Sequence, residues 1–466
     1  MELLYKSLLE KFAFEPTSKQ EAFFRAITDF VNQNNSQNIF ILKGYAGTGK
    51  TSVIATLVNC LDLINKDYVL LAPTGRASKV VANYSKKKSY TIHKKIFYTK
   101  IDQNGLSFKL QTNKHKNTIF IVDEASMISN SGYGNGTILE NLIEYVYSAH
   151  GSKLILVGDT AQLPPIGTDL SPALDENEVE LHFQLPVLSI ELDQVMRQSQ
   201  DSGILYNATL IRNKLHDYFL DDFTLTIGNY IDFKRLTEGD EIQDALHNAY
   251  YNNGIEETIF IVKSNKRANL YNQQIRNRIL DRDSELSVGD LLMVVKNNYF
   301  WLKDNSQADF IANGDVVEVL EIFKIIELYG FKFAHIKTQL IDFPNISPFE
   351  TIILLDTLHS EEASLTQEHQ NKLYQEVLLD YQDEPTQYKR QKKVKENEYY
   401  NALQVKFAYA FTCHKAQGGQ WDVVFVEQPY RTEPIDREYL RWLYTAITRA
   451  KQKVYLIGFK DEYFSQ

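Results

Sequence analysis

A chain of 466 residues is too long for one ordinary core, so two to four domains are expected. Its 44 % hydrophobic and 24 % charged residues are near globular averages, and no run of about 18 apolar residues is present to cross a membrane as a helix. The net charge of −10 argues mildly against a polyanion partner for the surface as a whole, and two distant cysteines, Cys60 and Cys413, exclude a disulfide or zinc framework. The first residues, MELLYKSLLEKFAFEP, lack a basic segment leading into an apolar one, so a cytoplasmic protein with no membrane partner is expected.

The first predicted strand is NIFILK, residues 38–43. It runs into the glycine-rich turn Gly44-Tyr45-Ala46-Gly47-Thr48-Gly49 and then Lys50, Thr51 and Ser52, which open the helix-prone SVIATLVNCLDLI. This G-x-x-x-x-G-K-T pattern is a phosphate cradle: glycines let backbone N–H groups approach the phosphates, Lys50 reaches the β- and γ-phosphates, and the Thr51 hydroxyl ligates magnesium. The cradle predicts a nucleoside triphosphate and magnesium as cofactors. YVLLAP, IFIVDEAS and KLILVGD, at 68–73, 119–126 and 153–159, are further apolar runs that read as strands buried on both faces. Helical periodicity at 138–149 lies between the last two. Such alternation implies a parallel sheet covered by helices, with chemistry at the carboxyl ends of the strands. Asp123 ends one strand and can hold magnesium; Glu124 beside it is placed to deprotonate a water.

Residues 97–117 break the alternation. Asn104-Gly105 between two strand-like pieces predicts a small hairpin inserted in the first sheet domain. The surrounding segment, 86–116, holds Lys86, Lys87, Lys88, Lys94, Lys95, Lys100, Lys109, Lys114 and Lys116 against one acid, Asp102, with Tyr90, Phe97, Tyr98 and Phe108 interleaved. Lysines mixed with aromatics suit a single nucleic-acid strand, since cations hold phosphates while rings stack on bases. The basic run KRQKKVK at 389–395 reads as a solvated face.

A second alternating section begins with TIFIVKSN at 258–265 and a helical stretch to 280. From 289 the pattern becomes successive strand candidates separated by turns, which predicts a small antiparallel barrel. A polar helical stretch covers 360–398, and sheet patterning returns with DVVFVEQ (422–428) and KVYLIGF (453–459).

LVGDTAQLPPIG (156–167), VMRQS (195–199), FAYAFTCHKAQGGQWDVVFV (407–426) and YTAITRAK (444–451) together resemble the superfamily 1 helicases, most of all the RecD-like and Dda-like branch that moves 5′ to 3′. The resemblance covers about residues 12–290 and 400–460. It implies two RecA-like P-loop domains, 1–195 and 196–289 with 401–466, and an SH3-like barrel inserted at 290–400. FEPTSKQ at 14–20 is similar to the adenine-reading segment, which makes Gln20 the purine contact. Gln162 would sense the γ-phosphate, Arg197 and Arg449 look like two arginines on it, and Gly419 and Gln420 lie where the second domain meets the nucleotide. Pro73, Thr74 and Gly75, Thr91 and His93, Ser264 and Asn265, and Thr412 and His414 resemble strand-gripping positions. Neither His93 nor His414 has metal-ligand spacing to a partner, so a metal role is not expected. The implied activity is ATP-driven translocation on single-stranded DNA and unwinding of tailed duplex by a monomeric motor. A translocase that does not unwind, an RNA helicase and a P-loop regulatory ATPase acting on proteins stay open at this point.

Overall fold

The apolar runs become strands because each can bury both of its faces. In β1 (Ile39–Gly44), Phe40 and Leu42 point to one side and Ile39 and Ile41 to the other, and the two pairs join different cores. The core on the first side is closed by α1 (Glu2–Lys11), α2 (Ser18–Asn32) and α3 (Lys50–Leu63). The molecule is seen here as a computed structural model describing all residues except 1, 34–36, 103–104, 131, 134–135, 196–200, 221–222, 229, 303–309, 344 and 465–466.

Along the chain β2 (Tyr68–Ala72), α4 (Gly75–Ser85), β3 (Ser89–Thr91) and α5 (Ile92–Ile96) follow. The antiparallel hairpin of β4 (Phe97–Asp102) and β5 (Gly105–Leu110) comes next, then β6 (Ile119–Val122) and a short ribbon, β7 (Gly132–Tyr133) and β8 (Gly136–Thr137). α6 (Ile138–Tyr147), β9 (Lys153–Gly158), α7 (Glu176–Phe183) and β10 (Val187–Leu192) complete this part. The six-stranded sheet is parallel, in the order β10-β1-β9-β6-β2-β3. Of the expected hairpin turn, Asn104 lies outside the described residues.

α8 (Gly203–Lys214), β11 (Phe233–Leu236), α9 (Gly239–Asn252), β12 (Thr258–Val262) and α10 (Asn265–Arg278) lead to the barrel. It is closed by β13 (Leu291–Val294), β14 (Val316–Leu328), β15 (Phe331–Leu340), β16 (Phe349–Leu354) and β17 (Leu403–Phe407). The fifth strand lies past residue 400, and β16 and β17 pair in parallel. The long β14–β15 ribbon turns at Tyr329 and Gly330, both at positive φ, as a tight hairpin turn requires. Its far end packs on α12 (Gln367–Leu379) and α13 (Gln387–Glu396), which follow the short α11 (Asp356–His359). The first of the strand candidates expected from 289 ends at Val294, and beyond it Asn298 folds back and accepts hydrogen bonds from the Phe300 and Trp301 amides.

β18 (Ala410–Thr412), α14 (Cys413–Ala416), β19 (Trp421–Glu427), α15 (Arg437–Ile447) and β20 (Ala450–Ile457) finish a second parallel sheet, ordered β11-β20-β19-β12-β18. The two parallel sheets match the two parallel-sheet domains expected from the strand–helix alternation. Among the described residues no helix is long and apolar enough to cross a membrane.

Candidate active site and strand groove

β1 ends where the glycine-rich turn begins. Gly47 and Gly49 both have positive φ, and Gly49 caps α3. Gly44 is held to glycine by crowding: a Cβ there would come within 2.9 Å of the Lys50 side chain. The Lys50 ammonium donates to the Gly44 and Tyr45 carbonyls at 2.6 and 2.9 Å and lies 3.7 Å from Asp159. Thr48 is buried and donates to the Tyr45 carbonyl; Ser52 is half-buried and Thr51 exposed on the wall of a cavity of about 340 Å³.

Gln20 is fully buried. Its amide oxygen accepts from the Thr17 N–H, closing a capping box on α2, and its amide nitrogen donates to the Thr48 carbonyl at 3.0 Å. The structure thus shows Gln20 bracing the phosphate loop.

β6 delivers Asp123 and Glu124. Asp123 accepts from the Glu124 N–H (2.8 Å) and from the Tyr84 hydroxyl (2.9 Å), which leaves lone pairs over for a cation. Glu124 stands in the left-handed region (φ 53°), and one buried oxygen has no hydrogen-bond partner among the described residues. Burial raises both carboxyl pKa values. For Asp123 the Glu124 amide, Tyr84 and Lys50 oppose the rise; for Glu124, Arg449 and Lys50 oppose it while Asp123 and Asp159 add to it. Among the described residues no group of three or more His, Cys, Asp or Glu could hold a metal alone. The Thr51 hydroxyl and the Asp123 carboxylate are oxygen donors of the kind that would hold a magnesium ion brought by a triphosphate.

Arg449 comes from the second sheet and reaches this site. Its guanidinium, 3 % exposed, donates to the Thr445 and Gly419 carbonyls and the Thr448 hydroxyl, and lies 3.8 Å from Glu124. Lys50 and Arg449 therefore act on one carboxylate from opposite sheets. Gln162 is buried, with its amide oxygen unpartnered among the described residues. Gly419 packs so tightly that a Cβ would meet Trp421 at 2.5 Å and Arg76 at 2.7 Å. Gln420 lines the 340 Å³ cavity with Thr51 and Tyr84. Arg197 lies outside the described residues.

Sequence reasoning missed Tyr444. Its hydroxyl accepts from the Ala46 N–H (2.7 Å) and donates to Asp159 (2.8 Å), tying α15 to the phosphate loop. Thr445 accepts from the Leu163 N–H and Gln417 donates to the Leu163 carbonyl, so three residues of the second sheet's unit clamp the 156–167 segment. A tyrosine in YTAITRAK carries no spacing signal that distinguishes it from core.

Pro73, Thr74, Thr91, His93 and His414 converge on a groove of about 400 Å³, closed by Asn313 and Phe310 of the barrel. The Thr74 and Thr91 hydroxyls cap α4 and α5, whereas Thr412 caps α14 without a side-chain bond. Gly75 sits at the start of α4 against the barrel, where a Cβ would lie 2.2 Å from Asp315. Ser264 caps α10 through the Arg267 N–H, and neither it nor Asn265 lines the groove. The lysine-rich segment is divided: Lys94 lies over Phe310 and Phe343, while Lys88 and Lys95 face elsewhere. Burial lowers the His93 pKa to about 4, so its ring is neutral at pH 7.

Residues 28–168 match the family described as AAA domain, and residues 407–457 match the UvrD-like helicase C-terminal domain. An ATP-dependent RecD2 DNA helicase of Deinococcus radiodurans is 28 % identical over 178 residues, 38 % of this chain and 22 % of that protein. These matches support the resemblance of the chain to superfamily 1 helicases of the RecD-like branch. An uncharacterized protein of Acanthamoeba polyphaga mimivirus is 23 % identical over 96 % of the chain and 99 % of the relative. Among solved structures, one of two coordinating Pif1 helicases at forked dsDNA covers 97 % of this chain and 95 % of its own, at 17 % identity and a TM-score of 0.49. The seam between the sheets has a glycine-rich phosphate loop on one sheet, an arginine from the other, and a groove over both.

Proposed function

We propose that the chain is an ATP-dependent DNA helicase that translocates 5′ to 3′ on single-stranded DNA and unwinds duplex carrying a single-stranded tail. The observation that carries this reading is the meeting of Arg449 with Glu124, 3.8 Å apart across the seam, in a molecule whose groove spans the same seam. Lys50 and the loop amides from Ala46 to Thr51 bind the phosphates, and Ser52 extends that row. Thr51 and Asp123 would hold magnesium, which neutralises phosphate charge. Glu124, whose burial raises its pKa while Arg449 and Lys50 oppose the rise, takes the proton from the attacking water. Arg449 and Arg197 stabilise charge on the γ-phosphate, and Gln162 reports its presence to the seam. Gln20 serves the purine by holding the loop, and Gly419 and Gln420 contact the nucleotide from the second sheet.

Intact triphosphate draws Arg449 toward the first sheet and its loss releases it. The nucleotide therefore biases a two-state hinge through contacts that exist in one state only. His93 and Thr91 grip the strand from one side and His414 and Thr412 from the other, while Ser264 and Asn265 stand outside the groove; opening and closing thereby become steps. The hairpin at 97–117 parts the duplex. The units are 1–195, 196–289 with 408–466, and the inserted barrel about 290–407 once its closing strand β17 is counted, acting as a monomer in the cytoplasm.

ATP hydrolysis with and without oligo-dT, followed by unwinding of duplexes with 5′ or 3′ tails, tests the reading. The expected result is strand-stimulated hydrolysis and unwinding only from the 5′ tail. Stimulation without strand separation would make it a translocase, stimulation by RNA alone an RNA helicase, and no stimulation a regulatory ATPase.

A further inference from the structure

α5 presents two chemically different faces. His93 lines the groove, whereas Lys95 lines a second concavity, of about 500 Å³. Residues two apart on an α-helix point roughly 200° apart, so the two hollows flank α5, about 10 Å from each other. The chain passes from α5 directly into β4, so the hairpin rises from the ridge that divides them.

The second hollow lies at the starts of β2, β3 and β6, the end of the sheet opposite the catalytic carboxylates. Its walls carry Lys66, Lys87, Lys88, Lys95, Tyr90 and His115. Asp62 there is paired with Lys87 at 2.7 Å. Lys66, Lys88 and Lys95 have no acid within ion-pair distance among the described residues, and Asp67 is the other acid in the walls. Two of these ammonium groups crowd one ring: Lys88 and Lys95 each stand 5.0 Å from the Tyr90 centroid. Burial and the Lys88 charge lower the Lys95 pKa, and burial and Lys95 lower that of His115. Like charges gathered in a concavity repel, and an anion bound among them relieves that repulsion.

We propose, on the helicase reading above, that this hollow seats the sugar–phosphate backbone of the DNA strand that the hairpin excludes from the groove. Lys66, Lys88 and Lys95 hold its phosphates, and Tyr90 keeps the two lysines in place. One strand then passes each side of α5, with the hairpin between them.

The test uses the full chain and its K88E/K95E variant, with three probes: oligo-dT, a duplex with one 5′ tail, and a fork with two tails. Wild type should bind the fork more tightly than the single-tailed duplex. The variant should bind the fork at least tenfold more weakly, close to the single-tailed duplex. Its salt dependence on the fork should be shallower by about one to two phosphate contacts. Oligo-dT affinity and oligo-dT-stimulated ATP hydrolysis should stay within twofold, which also reports correct folding. K88Q/K95Q should fall between. A variant that keeps the fork advantage, a wild type that has none, or a parallel loss of oligo-dT binding would each overturn the proposal and leave the helicase reading standing. A wild type whose ATP hydrolysis ignores DNA would remove both.

Discussion

Arg449 has two tasks that one substitution separates poorly and two substitutions separate well. Its bonds to the Thr445 and Gly419 carbonyls hold the second sheet's loop, and its charge faces Glu124. Arg449→Ala should leave ATP affinity within a few-fold while lowering kcat by about a thousandfold or more. Glu124 also loses the neighbour that most opposes its raised pKa, so the acid limb of the rate profile should move to higher pH. Arg449→Lys should restore part of the pH behaviour. Turnover within a few-fold of wild type for the alanine variant would refute the role. His93 gives a second titration. Its pKa falls from 6.5 to about 4 on folding because the buried ring resists charging. The stability it contributes is intact above pH 6.5 and is lost as pH falls toward 4, by at most about 3 kcal/mol. His93→Gln should therefore show a flatter unfolding midpoint between pH 7 and 5 than wild type; parallel curves would contradict the burial. Lys50, Asp123 and Glu124 were legible in sequence because phosphate chemistry fixes residue type and spacing. Tyr444, Tyr84 and the bracing bonds of Gln20 were not, because partners 398, 39 and 28 residues away leave no local pattern.

The joint between α4 and the barrel depends on a missing side chain. Gly75 lets the barrel's Asp315 approach the first turn of α4, and Arg76 beside it lies over the Trp421 ring at 4.7 Å and 3.9 Å from Asp342. One helix start thus touches the barrel and the second sheet at the groove's edge. Gly75→Ala, with its Cβ 2.2 Å from Asp315, should push the barrel away and lower oligo-dT affinity at least tenfold. Asp315→Ala in the same chain should recover most of that loss, a coupling that a double-mutant cycle measures. Additive losses would show that the joint does not act through this contact. The strands most readable in sequence were the central ones, β1, β6 and β9, buried on both faces. The edge strand β10 stayed unread because it is half-exposed and breaks its apolar run with Ser189 and Glu191, and β3 because it has only three residues. The barrel was legible as alternation and turns; its closing strand was not, since 48 residues of β16–β17 connection and helix separate it from its parallel neighbour's end.

At the scale of the molecule, the hairpin links parts that the sequence places far apart. Its root is anchored in the first sheet's core by Phe97 and Phe108, and Phe108 also meets Tyr299 of the barrel region, ring centroids 5.2 Å apart. The hairpin is thus braced at its base from two units while its strands extend beyond α5. A braced wedge can transmit force from the motor to a duplex; a loose one would yield. The phosphate loop and the described residues of the groove lie outside the hairpin, so hydrolysis and strand grip are expected to survive loss of its outer part. Replacing residues 100–107 by a two-residue turn should keep Phe97 and Phe108 in place. Oligo-dT-stimulated ATP hydrolysis should then stay within twofold, while unwinding of a 5′-tailed duplex falls at least tenfold. Phe108→Ala, which loosens the brace and leaves the wedge, should give an intermediate loss of unwinding with the same ATP hydrolysis. If unwinding and hydrolysis fall together in both variants, the hairpin supports the motor's fold instead of parting strands, and duplex separation must be sought at the barrel's side of the groove.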